Sequence, residues 1–325
     1  MAGSSDNKVA RGGIDLGGTK VEAIVVDPGN NVLGSARRPT PTDGPSGVAA
    51  ELVRALGDAC EAAGTQASSL RGVGVGSPGV VDTATGEVRS ARNLVGWDGT
   101  FPLGSTLASQ LGTTVRVSND VTVATEAEFK LGAGRPYRSL LGVFWGTGVG
   151  GGLILSGKVW EGRGGAGEIG HTVVKKGGAR CPCGRRGCLE AYAGRAAMER
   201  RARKRAKNGK HTVLFDLMEK RGRTRLTSSI WARALERGDK LAIQIVDEAL
   251  DALGAGIASA VNLLDVEAVV IGGGLGVRFG EQGANRIAAA MEPHLFDRRP
   301  DVHVAALGDL GGALGAALLV QSPKD

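Results

Sequence analysis

Three glycine-rich turns, each directly after a short apolar segment, constrain the fold of this chain more than any other feature. They are DLGGTK at 15–20, GTGVGGG at 146–152 and GGGLG at 272–276. A turn without side chains lets successive backbone N–H groups converge on phosphate oxygens. Glycine supplies 54 of the 325 residues, against about 7% in an average protein. The three turns together indicate an α/β protein that binds phosphate groups.

The turns do not match two common phosphate-binding patterns. The G-x-G-x-x-G spacing at 146–151 runs into a further apolar strand, where a Rossmann fold requires a helix, and the same spacing at 74–79 contains a proline. Lys20 follows GGT and lacks the spacing of a Walker A loop. What remains is a strand–GGT–strand hairpin led by Asp15. A carboxylate beside such a turn is explained if Mg²⁺ bridges it to phosphate.

Strand and helix patterns alternate along the chain, but the series begins with a hairpin. This order predicts a mixed α/β sheet in each of two lobes, and 325 residues suit about two domains. A proline-rich connector is predicted at 38–45, and the charged segment 210–238 has weak periodicity. The predicted strands are 9–16, 21–27, 72–76, 115–118, a hairpin over 139–157, 268–271 and 302–306. The predicted helices are one capped by Ser46, then 121–131, 189–207, 241–264, one after the glycines at 272–274, and 311–320.

Charge and hydropathy exclude several classes of protein. The first eight residues are polar and lack the apolar stretch of a signal peptide. The uncharged segment 139–157 contains seven glycines, which argues against a membrane helix. We therefore expect a cytoplasmic protein without a membrane partner. The net charge of +7 permits a polyanionic partner without requiring one.

Three of the four cysteines are crowded into one short segment that also begins with a histidine. The segment 171–188 reads HTVVKKGGARCPCGRRGC, and its four ligand-type side chains are His171, Cys181, Cys183 and Cys188. A Cys₃His set is typical of closed structural zinc sites. A redox-active cysteine pair is the alternative interpretation. The fourth, Cys60, is isolated and is predicted to be a small buried apolar side chain.

These motifs together resemble the ROK family, named for its repressors, open reading frames and sugar kinases, and most closely its bacterial glucokinases. The resemblance covers roughly residues 9–320, and the run from Glu168 to Glu190 is its most specific part. In chain order the motifs are DLGGTK at 15–20, SPG at 77–79, ND at 119–120, GTGVGGG at 146–152, EIGH at 168–171, CPCGRRGCLE at 181–190 and GGG at 272–274.

The resemblance implies the α/β fold of actin-like, hexokinase-type ATPases, an RNase H-like fold with two lobes and an interlobe cleft. We expect a disordered N-terminus at 1–8 and a small lobe at 9–118 that is completed by a C-terminal helix at 308–325. The large lobe is expected at 119–307 and includes the zinc loop at 171–188. Repressors of the family carry an additional N-terminal DNA-binding domain; because the hairpin begins within about ten residues of Met1, we expect the kinase branch of the family and not a repressor.

The resemblance also implies ATP-dependent phosphorylation of a hexose, with D-glucose as the expected acceptor. Asp120 is then the general base on the sugar 6-hydroxyl, although a carboxylate at this position is also a common helix N-cap. Asp15 is expected to hold Mg²⁺ through water, and Lys20 either to assist or to lie on the surface. The residues implied for ATP are Asp15, Gly17, Gly18, Thr19, Lys20, Thr147, Gly148, Gly272, Gly273 and Gly274.

Hexoses are bound by short polar side chains that each hold one hydroxyl. By resemblance the sugar residues are Gly79, Asn93, Asn119, Asp120, Glu168, His171 and Glu190. One ring nitrogen of His171 can bind structural Zn²⁺ while the other faces a sugar hydroxyl. The Val121-Thr122 pair after the ND motif departs from the usual family pattern, which weakens inferences about contacts behind the base.

Several alternatives remain open from the sequence. The acceptor could be N-acetylmannosamine, mannose, fructose or allose, the donor could be polyphosphate, or the chain could be a non-enzymatic, sugar-responsive regulator. The basic helix near 195–210 is predicted to be a solvated face without a nucleic-acid partner. A homodimer or homotetramer is expected by resemblance. The charged segment 195–238 has no assigned role.

Overall fold

The computed structural model describes residues 10–91 and 93–320. The disorder predicted for 1–8 and the end of the predicted segment 308–325 lie outside the described residues. The strands are β1 Arg11–Leu16, β2 Lys20–Val26, β3 Val32–Pro39, β4 Val73–Ser77, β5 Val80–Asp82, β6 Glu87–Arg89, β7 Thr100–Phe101, β8 Val115–Asn119, β9 Leu140–Trp145, β10 Val149–Leu155, β11 Lys158–Val159, β12 Ala268–Gly272 and β13 Asp301–Val304.

Among the described residues, α-helices separate the strand groups β1–β3, β4–β7, β8, β9–β11, β12 and β13. None of the described helices combines the length and the apolar character needed to cross a bilayer. The helices are α1 Pro45–Ala62, α2 Leu103–Leu111, α3 Asp120–Leu131, α4 Glu190–Ala193, α5 Arg195–Lys207, α6 Leu214–Glu219, α7 Ser228–Glu236, α8 Lys240–Leu264, α9 Gly273–Met291 and α10 Gly311–Leu318.

Two five-stranded mixed sheets follow the same plan. The first has the order β3-β2-β1-β4-β8, and the second has the order β11-β10-β9-β12-β13. In each, an antiparallel hairpin (β1–β2 or β9–β10) is extended by two parallel strands. A small antiparallel sheet has the order β5-β6-β7. The prediction of mixed α/β sheets that begin with hairpins is confirmed.

The chain divides into two compact units. Among the described residues, the first contains those up to Gly132, 159–166 and those from Ala306 onward, and the second contains 133–158 and 167–305. This division keeps α3 in the first unit, whereas the sequence boundary was predicted after residue 118. The physical reason is that α3 packs against α10 so closely that a Cβ at Gly315 would lie 1.9 Å from the carbonyl oxygen of Val123.

Three local features differ from the sequence predictions. Part of the predicted connector 38–45 belongs to β3, an edge strand that reads as polar because one face is exposed. Helix α2 was not predicted, although its buried leucines recur every four residues at Leu103, Leu107 and Leu111. The predicted Ser46 cap is wrong: α1 starts with Pro45 in its first turn after Gly44, and no side chain caps it.

The backbone of helix α10 packs directly against the backbone of the first sheet. A Cβ at Gly74 of β4 would lie 1.7 Å from the carbonyl oxygen of Ala316, and one at Gly13 of β1 would lie 2.1 Å from that of Ala313. The absence of side chains at these positions therefore sets how closely the helix approaches the strands. This approach brings the start of α10 to the end of β1, where Asp15 lies.

We expect Gly74→Ala to lower the free energy of unfolding by at least about 2 kcal/mol, because helix and strand must separate to admit a methyl group. Gly57→Ala is the matched control, since Gly57 is exposed on α1 and an added Cβ meets nothing within 4 Å. The free energy of unfolding of Gly57→Ala is expected to rise by about 0.5–1 kcal/mol. Urea denaturation of both variants measures the difference, and equal stabilities would contradict the backbone packing described here.

Candidate functional site

The GGT turn of the first unit is held by hydrogen bonds from outside the hairpin. The Gly17 N–H donates to the Lys20 carbonyl at 2.9 Å, which closes the turn. Thr40, just after β3, donates its hydroxyl to the Gly17 carbonyl at 2.6 Å and its N–H to the Thr19 carbonyl at 3.2 Å. Thr40 was not predicted, because only the third strand brings it to the turn.

Gly18 contacts a second predicted residue of the first unit. A Cβ at Gly18 would lie 2.9 Å from the carbonyl oxygen of Asn93. The Asn93 backbone therefore packs on the turn. This contact requires glycine at position 18 and brings the predicted sugar residue Asn93 next to the predicted phosphate turn.

Asp15 lies at the start of α10, in tight packing. A Cβ at Gly312 would lie 2.6 Å from the carboxylate carbon of Asp15. Burial raises the pKa of Asp15 from 3.8 to about 6, and the positive charge of Lys20 only partly offsets this effect. A bound divalent cation would favour the ionised form, so this carboxylate suits a metal–phosphate site.

Lys20 takes part in a cluster of ion pairs beside Asp15. Its Nζ lies 3.6 Å from Glu22 and 3.3 Å from Asp309. Arg37 of β3 contacts the same two carboxylates, at 2.5 Å and 2.9 Å. The cluster joins the hairpin to the segment before α10. Of the two predictions for Lys20, the contacts favour the structural role at the surface.

The ND motif marks the junction of β8 and α3. The Asn119 side chain accepts the N–H groups of Val121 and Thr122 at 3.0 and 3.1 Å, and its amide donates to the Gly79 carbonyl at 3.2 Å. Asn119 is therefore the N-cap, and the idea that Asp120 fills this role is wrong. Asp120 is the first residue of α3, where the helix dipole favours a negative charge.

The parallel pairing of β4 with β8 explains why Gly79 and Asn119 meet. Ser77 is paired with Asn119 in the register of these two strands, so the SPG and ND motifs continue from the same sheet edge. Gly79 has a φ of +98°, and a Cβ there would also lie 2.7 Å from the Arg89 carbonyl. Glycine is thus required on both grounds.

The GTG turn of the second unit lies against Glu190. The Glu190 carboxylate accepts the Val149 N–H at 3.1 Å, and a Cβ at Gly148 would lie 2.1 Å from it. The other carboxylate oxygen of Glu190 lies 3.9 Å from the Cys181 sulfur. A residue predicted for sugar binding therefore joins the predicted phosphate turn to the cysteine cluster.

The third glycine turn lies beside the second. Strands β9 and β12 are parallel neighbours, and Gly272 is paired with Phe144. An added Cβ would lie 2.6 Å from the Phe144 ring at Gly272 and 2.6 Å from the Trp145 carbonyl at Gly273, whose φ is +76°. The Gly274 N–H lies 3.8 Å from a Cβ placed at Gly146. Sheet pairing thus brings two predicted nucleotide turns together within the second unit.

The Cys₃His set forms one cluster. The ligand atoms of His171, Cys181, Cys183 and Cys188 all lie within 4.8 Å of one another. Cys183 and Cys188 have their sulfurs 3.7 Å apart, too far for a disulfide. A tetrahedron with zinc–sulfur bonds of about 2.3 Å has edges of about 3.8 Å. The donor set and its spacing therefore suit a tetrahedral metal ion better than a redox pair.

The thiols of the cluster have different environments. Burial raises the pKa of Cys181 to about 12. Burial is the largest single effect on Cys183 and opposes its ionisation, but hydrogen bonds with Arg185, Cys181 and Cys188 together outweigh burial and lower the pKa of Cys183 to about 6. Arg185 thus offsets thiolate charge at Cys183.

His171 presents its two ring nitrogens to different groups. Nδ1 lies 3.9 Å from the Cys181 sulfur, whereas Nε2 lies 3.9 Å from the Glu168 carboxylate. The Glu168 side chain is half-exposed. One nitrogen therefore faces the cluster and the other a polar, accessible carboxylate. Residues predicted for sugar binding and for metal binding thus meet at His171 within the second unit.

Comparison with known proteins gives a consistent family. The ROK family model matches residues 11–323. A glucokinase of Halalkalibacterium halodurans is 33% identical over 96% of this chain and 95% of its own, and one of Thermotoga maritima is 32% identical over 95% and 96%. The crystal structure of a ROK family glucokinase from Streptomyces griseus in complex with glucose and AMPPNP is 32% identical, covers 95% of this chain and 98% of its own, and has a TM-score of 0.84. This likeness confirms the predicted actin-like, hexokinase-type fold class.

We expect Asp15→Asn to stabilise the protein at high pH only. Because the folded-state pKa is raised, ionising Asp15 costs folding free energy above about pH 6, and the cost vanishes below about pH 4. The free energy of unfolding of the variant should exceed that of the wild type by up to about 3 kcal/mol at pH 8 and by almost nothing at pH 4. Denaturant titrations without added magnesium measure both values. An equal gain at the two pH values would show that the effect is not electrostatic.

Proposed function

The chain belongs to the ROK family, and from that premise we propose that it is a glucokinase, which transfers the γ-phosphoryl group of ATP to the 6-hydroxyl of a hexose, with D-glucose as the preferred acceptor. The observation that carries the proposal is the Asp120 carboxylate, placed by the Asn119 cap at the start of α3. Relatives of this chain that are glucokinases cover nearly its whole length.

Asp120 is the general base in this proposal. Phosphoryl transfer needs an aligned acceptor, neutralised charge and a group that takes the acceptor's proton. The 6-hydroxyl oxygen attacks the γ-phosphorus, the bond to the ADP oxygen breaks, and the hydroxyl proton passes to Asp120. The dipole of α3 favours a negative charge at its first residue, where Asp120 lies. Asn119 holds this helix end rigid, so the base has a defined position.

The glycine turns are assigned to ATP. In the first unit, Gly17, Gly18 and Thr19 would bind phosphate oxygens, with Lys20 acting through its ion pairs. In the second unit, Thr147 and Gly148 would bind phosphate, and Gly272, Gly273 and Gly274 the nucleoside. Asp15 would hold Mg²⁺, which supplies charge neutralisation for the phosphates. Support comes from the close packing at each turn, which excludes side chains.

The sugar is assigned to Gly79, Asn93, Asn119 and Asp120 in the first unit and to Glu168, His171 and Glu190 in the second. The Nε2 of His171 would donate to a hydroxyl while Nδ1 binds Zn²⁺ with Cys181, Cys183 and Cys188. Glu190 accepts the Val149 N–H and also lies beside Cys181. These two contacts support a structural metal that orders the loop at 171–188. The predicted cytoplasmic location and homodimeric or homotetrameric state stay predictions.

A coupled assay with a panel of sugars and donors tests the proposal. The acceptors are glucose, mannose, fructose, allose and N-acetylmannosamine, and the donors are ATP and polyphosphate. We expect the highest kcat/KM for glucose with ATP. A higher kcat/KM for another pair of sugar and donor would change the assigned substrates. Glucose binding without phosphoryl transfer would identify a regulator.

Asp120→Asn tests the base within the same assay. We expect kcat to fall about 10²- to 10⁴-fold, the range for a lost general base, with glucose affinity retained. Glu126→Gln is the control, because Glu126 lies on the same helix and its carboxylate pairs with Lys130 at 2.9 Å. Turnover retained in Asp120→Asn would remove Asp120 from this role.

The metal content of the purified protein tests the zinc assignment. We expect about one zinc ion per chain by elemental analysis, lost together with glucose affinity in Cys181→Ala, because a closed site needs all four ligands. Cys60→Ala serves as the control, since Cys60 is buried in α1 of the other unit. The Cys60→Ala protein should retain its zinc. A fully active, metal-free protein is the result that contradicts the assignment.

A further inference from the structure

Arg195, at the start of α5, binds the GTG turn through both its side chain and its backbone. Its guanidinium Nη2 donates to the Thr147 hydroxyl oxygen at 2.8 Å. The Arg195 N–H donates to the Gly146 carbonyl at 3.1 Å, and the next N–H along the helix, from Ala196, donates to the Thr147 carbonyl at 3.1 Å. The turn thus satisfies the first two N–H groups of α5, those of Arg195 and Ala196, which have no partner within the helix.

The same guanidinium also holds a second segment. Its Nη1 donates to the Leu226 carbonyl at 2.8 Å. One helical turn further along α5, the Glu199 carboxylate accepts the Leu226 N–H at 3.0 Å. Both polar groups of Leu226 are therefore bound by α5, at positions i and i+4 of one helix face.

This contact gives the charged segment 210–238 a place in the molecule. Helix α7 begins at Ser228, just after Leu226, and the Ser228 hydroxyl lies 3.8 Å from a Cβ placed at Gly274. Gly274 belongs to the third glycine turn. Arg195 therefore ties two glycine turns to a segment for which the sequence provided no role.

The hydrogen-bonding capacity of the two side chains determines what Thr147 can do. A guanidinium only donates, so the Thr147 oxygen must accept the bond from Arg195. The single hydroxyl proton of Thr147 is then left for a different acceptor. A phosphate oxygen is such an acceptor, so the Arg195 bond sets the direction in which Thr147 can donate.

The environment of the guanidinium supports a role in anion binding. Burial lowers the pKa of Arg195 below its usual value, and Glu199 only partly opposes this effect. The Glu199 carboxylate is already bound by Arg203, at 2.9 and 2.6 Å. Within the described residues, no carboxylate lies within 4.0 Å of the Arg195 side chain. Among the described residues, this partly buried guanidinium therefore has no direct ion-pair partner beside the turn, and Glu199 acts on it only from a longer distance.

We propose that Arg195 is a positioning residue for the phosphate donor: it fixes the Thr147 hydroxyl as a hydrogen-bond donor to a nucleotide phosphate and holds the Leu226–Ser228 segment beside the glycine turns. The inference rests on the proposed function, because it takes the GTG turn as part of the ATP site. It adds a residue outside the turns and assigns the charged segment to the nucleotide side of the second unit.

A double-mutant cycle with Thr147 tests the inference. We expect Arg195→Met to raise KM for ATP about 10- to 100-fold, the effect of losing a charge-assisted hydrogen bond, and to leave KM for glucose unchanged. Thr147→Val should raise KM for ATP similarly. The double variant should be no worse than the worse single variant, because both changes remove one interaction. Thr147→Ser keeps the hydroxyl group and should raise KM for ATP less than Thr147→Val does.

Two controls separate this role from general effects. Arg200→Met removes a positive charge from an exposed position of the same helix and should leave KM for ATP unchanged. Arg195→Lys keeps the charge but lacks the planar pair of donors, so it should show an intermediate KM, and it serves if the Met variant does not fold. Additive effects of the two single changes, or an Arg200→Met effect equal to that of Arg195→Met, would overturn the inference.

Measuring nucleotide binding distinguishes failure of the inference from failure of the proposed function. Calorimetry with AMPPNP gives the dissociation constants of the wild type, of the two single variants and of the double variant. If the wild type binds AMPPNP but transfers no phosphate, the proposed function fails while non-additive dissociation constants still support Arg195. If transfer occurs and Arg195→Met binds AMPPNP like wild type, the inference alone fails. A wild type that binds no AMPPNP overturns both.

Discussion

Backbone-to-backbone contact at glycine is the constraint on which both units depend. In the first unit, Gly13 and Gly74 let α10 approach the sheet so closely that a methyl group would overlap its carbonyl oxygens. That approach places Gly312 against Asp15 and gives this carboxylate its raised pKa. In the second unit, Gly148 admits the Glu190 carboxylate and Gly273 admits the Trp145 carbonyl. Side chains at these positions would displace the groups that the proposed chemistry uses.

The common plan of the two sheets has a consequence for function. In each, a hairpin carries a glycine-rich turn, and parallel strands beside it end in further polar or glycine residues. Parallel neighbours end at the same sheet edge, which is where α/β proteins bind ligands. In the first unit, Asn119 is the last residue of β8 and Asp120 follows it; in the second, the GGG turn begins at Gly272, the last residue of β12. The predicted residues are therefore grouped by strand direction and not by closeness in sequence.

Charged side chains in the second unit link features that the sequence presents separately. Glu190 binds the GTG turn and lies near Cys181, so a metal-ordered loop and a phosphate turn share one carboxylate. Arg195 joins the same turn to Leu226. The two residues lie at either side of Gly194, between α4 and α5. This short stretch connects the cysteine cluster, the phosphate turn and the charged segment.

The sequence alone was sufficient for features that depend on local chemistry. Glycine-rich turns between apolar segments predicted the hairpins. The crowded cysteines and their histidine predicted the Cys₃His set, and a long stretch of apolar residues at helical spacing predicted α8. Helix α2 also had a usable signal in Leu103, Leu107 and Leu111. Strand β3 was hidden because an edge strand with one exposed face lacks an apolar pattern.

Only the tertiary structure decided the rest, because these features arise between residues distant in the chain. Which member of the ND pair caps α3 depended on the position of Gly79, and the contacts of Thr40 and Arg195 depended on strand and helix packing. The sequence determined which chemical groups are present and where the backbone can bend. Packing determined which groups meet, because hydrogen bonds act over about 3 Å and require both partners to be placed by the fold.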